Sequence, residues 1–86
     1  MAKLPAILED LRVILVENTL LRVEPQNIGA DQLLFGPDGL GLDSIDALQL
    51  AVAVERSYGV TLKDPKLVRR VLETLGVLQT WINEQP

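Results

Sequence analysis

Glycine and proline are distributed along this chain so as to dictate where helices can run. Residues 21–43 hold Pro25, Gly29, Gly36, Pro37, Gly39 and Gly41, whereas residues 44–58 contain neither type and Gly59 follows at once. Breakers at that density exclude continuous regular structure over 21–43, where only the stretch ADQLLF is expected to form a short helical turn. Residues 44–58 are expected as a helix, with Gly59 as its C-terminal cap.

The other helices follow from period and punctuation. Leu4, Ile7, Leu8, Leu11, Ile14 and Leu15 recur at three- and four-residue steps, one face of an amphipathic helix. Pro5 suits its first turn, and the helix should fade near Leu20, before Pro25. Asp64 and Pro65 supply an N-cap and a first-turn proline for a short third helix, KLVRRV. Thr74 is expected to cap a last helix whose Val77, Leu78, Trp81 and Ile82 again fall at helical spacing. Ile28, Leu33, Leu34, Phe35 and Leu40 are expected to anchor the long loop beneath itself.

The chain is 48% hydrophobic but only 3% aromatic, so its core has to be built from Leu, Val, Ile and Ala, the filling of short packed helices. An all-α four-helix bundle follows, with a long first loop and a short third helix, as a single domain over residues 1–86. With no Cys and no His, the chain has no disulfide, thiolate nucleophile, imidazole base or common zinc site. No catalytic and no metal-ligating residue is therefore assigned, and an enzyme is not expected. The lack of Cys fits a reducing compartment, and no apolar run reaches the roughly 18 residues of a membrane span. The first twenty residues carry too many charges for a signal sequence. A cytoplasmic monomer without a membrane span is expected. The net charge of −4 argues against nucleic acid as a partner, although residues 59–86 alone sum to +1.

At the start of the second helix, Asp43 is a favoured N-cap, and Asp46 three positions later approximates a capping box. Ser44 then lies in the first turn, where free N–H groups and the positive end of the helix macrodipole favour an anion attached to its hydroxyl. Asp-Ser is also ordinary punctuation at a helix start, so the pair alone does not decide between a structural and a functional role. The helix that follows carries two apolar stripes. Ala47, Leu50, Ala51, Val54 and Tyr58 form one, wide enough to pack on the bundle. Ser44, Ile45, Leu48, Val52 and Glu55 form the second, so the hydroxyl shares its edge with apolar residues the core does not need.

The stretch LGLDSIDALQLAVAVERSYGV, from Leu40 to Val60, resembles the signature of acyl carrier proteins, and the helix order and long first loop extend the likeness over nearly the whole chain. The resemblance implies that Ser44 is the attachment site of 4′-phosphopantetheine. Its hydroxyl would attack the pyrophosphate of coenzyme A inside a separate phosphopantetheinyl transferase, the holo-acyl-carrier-protein synthase, which supplies the magnesium. Asp43 would serve transferase recognition as well as capping. Ile45, Asp46, Leu48, Val52 and Glu55 would meet partner enzymes such as acyltransferases and ketosynthases. The family sequesters its acyl chain between helices. A cavity opening near Ser44 is expected, lined by Ile45, Leu48 and Val52 and by third-helix residues such as Leu67 and Val71, with Leu50 and Val54 also assigned to it.

The chain departs from the family pattern where Gln49 and Arg56 replace frequent carboxylates, and where Lys63, Lys66, Arg69 and Arg70 make the third-helix region basic. The four basic residues read first as a solvated helix face, and together with Gln49 and Arg56 they keep a specialised carrier open beside a housekeeping one. A peptidyl carrier and an unmodified helical adaptor are the alternatives.

Overall fold

Local signals decide most helix ends. The computed structural model describes residues 5–86, and its order is α1 (Leu8–Asn18), a 3₁₀ turn (Pro25–Asn27), α2 (Ser44–Tyr58), α3 (Pro65–Val71) and α4 (Leu75–Glu84). Asp43 caps α2, Asp64 caps α3 with Pro65 at the first helical position, and Thr74 caps α4 through the N–H of Val77. Gly59 ends α2 in the left-handed region at φ 68° and donates its N–H to the Glu55 carbonyl. A side chain is strained there, which is why glycine suits the position.

The first helix begins later than its apolar period suggests. Leu4 lies outside the described residues, and Pro5 precedes α1 instead of opening it. The cause is a tertiary tie: the buried Ala6 donates its N–H to Asn83 Oδ1 at 2.8 Å, and its carbonyl accepts from Gln79 Nε2 and Asn83 Nδ2. Those bonds hold residue 6 against α4 and outside the helix, and α1 starts from an extended Ile7, which offers no side-chain cap.

The long loop also differs from expectation. ADQLLF forms only a turn, closed by the Gln32 N–H on the Gly29 carbonyl, and the short helical turn lies upstream at Pro25–Asn27. Residues 33–35 are drawn out of helical geometry because the Leu34 N–H donates to the Glu73 carbonyl while the Leu34 carbonyl accepts from Leu42. Phe35 and Leu42 thereby form an isolated parallel bridge. Arg12 Nε fastens the same loop to α1 through the Ile28 carbonyl at 2.7 Å.

Leu11 and Leu15 of α1, Leu50, Ala51 and Val54 of α2, and Leu75, Leu78 and Ile82 of α4 are all buried, with Ile28, Leu34, Leu42 and Leu62 filling the core from the loops. Every described helix packs on at least two others: α1 on α2 and α4, and α3 on α2 and α4. The Cα radius of gyration is 11.8 Å, against about 12 Å for a compact domain of this length. The long loop is therefore packed into the bundle. Among the described residues no helix is long and apolar enough to cross a membrane.

Candidate functional site

Three residues at the head of α2 divide their polar groups unequally. Asp43 Oδ1 accepts the N–H groups of Ile45 and Asp46, each at 3.0 Å, and Asp46 Oδ2 accepts the N–H of Asp43 at 3.1 Å. A complete capping box results. Accepting the Asp46 N–H is the main reason the Asp43 carboxyl lies below its ordinary value of 3.8; desolvation opposes it, and the Ile45 N–H adds to the lowering. Ser44 takes no part. Its side chain is exposed and its hydroxyl has no partner among the described residues, although serine is itself a good capping residue.

The N–H groups of Ile45 and Asp46 are thus occupied by a carboxylate and not free for another anion. A phosphate on Ser44 would feel the positive end of a 15-residue helix but would sit outside the cap, solvated and beside a negative charge. The donor set fits a covalently attached, solvent-facing phosphodiester. It does not form a pocket that grips a free phosphate.

Beside Ser44 opens a groove of about 690 Å³. On α2 it is lined by Ala47, Leu48, Ala51, Val52 and Glu55, the edge shared with Ser44. Its opposite wall comes from Leu62, Lys63, Pro65, Val68, Arg69 and Glu73, and the loop supplies Leu33, Phe35 and Leu42. Leu48 at 66% exposure and Ile45 at 65% stand clear of the core. Of the two apolar stripes, the Leu50, Ala51 and Val54 stripe is the buried one.

Of the residues expected to line the cavity, Leu48 and Val52 border this groove, whereas Ile45, Leu50, Val54, Leu67 and Val71 do not. Leu50, Val54 and Val71 are buried in the core, and Leu67 is half-buried against it. They belong to the core side of their helices, while Val68 and Arg69, the neighbours of Leu67, line the groove. Leu33 and Phe35 are wall residues that sequence reasoning took for loop anchors. Only their apolar character in a breaker-rich loop hinted at that role.

Glu55 is not a free surface carboxylate. Its Oε2 accepts the N–H of Leu62 at 2.7 Å and its Oε1 lies 3.5 Å from Lys63 Nζ, with the Glu55 side chain 18% exposed and that of Lys63 76%. An ion pair with so exposed a partner contributes about 0–1 kcal/mol. The hydrogen bond from a backbone donor to a carboxylate, about 1.5–3 kcal/mol, is the stronger hold. Asp46 is likewise engaged in the cap, so of the residues expected to face partners Ile45, Leu48 and Val52 are the ones left exposed. Among the described residues no group of His, Cys, Asp or Glu is placed to hold a metal ion.

An all-helical bundle presenting an unengaged serine at the head of its central helix, beside an apolar groove, has the form of a carrier domain. The model of the phosphopantetheine attachment site family matches residues 11–80. The chain belongs to that family, whose members bind 4′-phosphopantetheine covalently and act as carriers of the acyl carrier protein type, generally without catalytic activity of their own. No curated protein and no solved structure gives a significant match.

Proposed function

We propose that this chain is a cytoplasmic acyl carrier protein, a single carrier domain that receives 4′-phosphopantetheine on Ser44 and presents acyl groups to biosynthetic enzymes of fatty-acid, lipid or polyketide type. The observation that carries the reading is the exposed, unpartnered Ser44 hydroxyl at the first position of α2, opening onto an apolar groove. In the modification, the Ser44 oxygen bonds to the phosphorus that bears pantetheine and the pyrophosphate bridge of coenzyme A breaks. Adenosine 3′,5′-bisphosphate departs and the hydroxyl proton passes to a base on the transferase. One oxygen of each neighbouring carboxylate is committed to backbone N–H groups of the cap, and with no His in the chain the base is assigned to the transferase. When bound, the group supplies a terminal thiol on a flexible arm, replacing the cysteine this chain lacks and holding the acyl group as a thioester.

Ile45 and Leu48, exposed beside Ser44, offer apolar contact to the enzymes that visit the arm, and Val52 extends that edge. Exposed Gln49 and Arg56 on α2, with exposed Lys63, Lys66, Arg69 and Arg70, favour partners less basic than those of a densely acidic carrier, and hence a specialised pathway. Intact mass after incubation with coenzyme A and a broad-specificity transferase tests the central reading. The expected result is a gain of one phosphopantetheine, lost in Ser44→Ala with its helical circular dichroism intact. A chain that stays unmodified is an adaptor, and the reading fails.

A further inference from the structure

We infer that the hydrogen bond between Glu55 and Leu62 is the end wall of the groove and sets the longest linear alkyl chain the fold accepts from position 44. The inference rests on Ser44 being the point of attachment. Along α2 the groove runs from Ser44 to Glu55, the first and last residues of that helix to line it. At about 1.5 Å of rise per residue, the eleven steps between them cover roughly 16 Å.

The opposite wall runs the other way. Glu73 is tied to the Ser44 end, since its carbonyl accepts from Leu34, whose own carbonyl accepts from Leu42, two residues before Ser44. Leu62 and Lys63 are tied to the far end by Glu55. Between the ends the α2 side is Ala47, Leu48, Ala51 and Val52, facing Val68 across the groove, a surface suited to methylenes and not to polar cargo. At the far end the character changes abruptly to a carboxylate, a backbone N–H and an ammonium group. A hydrocarbon tail that reaches this point has to displace a 2.7 Å bond from a buried residue, Leu62, and would leave a carboxylate and an N–H unpaired beside hydrocarbon. An extended chain advances about 1.2 Å per bond, as an extended backbone does, so the wall corresponds to roughly 13 bonds from position 44.

The chain contains no cysteine, so a Ser44→Cys variant carries one thiol. Its thiolate displaces methanesulfinate from linear alkyl methanethiosulfonates, forming a disulfide to chains of any chosen length without a transferase. The Tm of the labelled full chain is expected to rise with each added carbon and level off near a dozen or so carbons. Adding Glu55→Ala is expected to move the levelling point to longer chains. Glu55→Gln, whose amide oxygen still accepts the Leu62 N–H, and Lys63→Ala, which removes only the exposed ion pair, are expected to level with the parent.

Hydrogen exchange of the Leu62 amide in the parent gives a readout that needs no Glu55 variant. It is expected to stay slow under short chains and to accelerate once the chain exceeds the levelling length. A Tm that never levels or never rises, a levelling point indifferent to Glu55→Ala, or Leu62 exchange unchanged at every length overturns the inference. Because attachment here is by disulfide, any of these results leaves the transferase experiment untouched, and a failed transferase reaction leaves these results standing.

Discussion

Asp43 caps α2, and under the proposed function the same carboxylate also serves transferase recognition; the two demands can be separated. As a cap it needs an oxygen acceptor, which asparagine also provides. As a recognition charge beside Ser44 it needs the anion. Asp43→Asn is therefore expected to keep the melting temperature close to the parent while slowing phosphopantetheine loading, and Asp43→Ala to lower both; parallel melting curves and loading rates check this. The same carboxyl lies below its ordinary value of 3.8 in the fold. Its contribution to stability is complete above that value and is lost as pH falls through the lower, folded value. Acid titration of the Asp43→Asn protein should accordingly show a flatter decline below about pH 4 than the parent.

At the scale of elements, the helices and the loop were legible to different degrees. Asp43, Asp64, Thr74 and Gly59 act within four residues of themselves, so the ends of α2, α3 and α4 can be read locally. The start of α1 cannot, because Asn83 and Gln79, more than seventy residues away, decide the geometry of Ala6. Nor can the loop wall, because Leu33 and Phe35 take their direction from the Glu73 and Leu42 pairings. On α2 the period sets buried Leu50 and Val54 apart from exposed Ile45 and Leu48, yet Ala47 and Ala51 of the core stripe border the groove together with Leu48, Val52 and Glu55 of the second. The expectation that Leu48 and Val52 line the opening agrees with the groove, whereas Leu50 and Val54, assigned to it as well, are buried in the core. Gly39 is the point at which the loop element is most sensitive: an added Cβ would lie 2.5 Å from the Leu33 carbonyl oxygen and 2.8 Å from that of Phe35, both backbone atoms. Gly39→Ala is expected to cost about 1–3 kcal/mol in denaturant unfolding and to disturb the groove wall, whereas a neutral result would mean the loop is not packed as described.

For the molecule as a whole, stability and function are assigned to opposite edges of the same central helix. Leu50, fully buried on α2, and Leu48, 66% exposed on the same helix, make the contrast measurable. Leu50→Ala is expected to lose about 2–5 kcal/mol and Leu48→Ala to stay within about 0.5 kcal/mol, with any effect of the latter appearing in turnover by partner enzymes. The account depends most on Ser44 itself. Cleavage after Arg22 and Arg56 releases residues 23–56, in which Ser44 is the single hydroxyl-bearing side chain. The mass of that peptide, taken from protein purified out of its native cells, is predicted to exceed the sequence mass by a phosphopantetheine group, with or without an acyl load. A peptide at its bare mass, or the increment found on another peptide, would contradict the account.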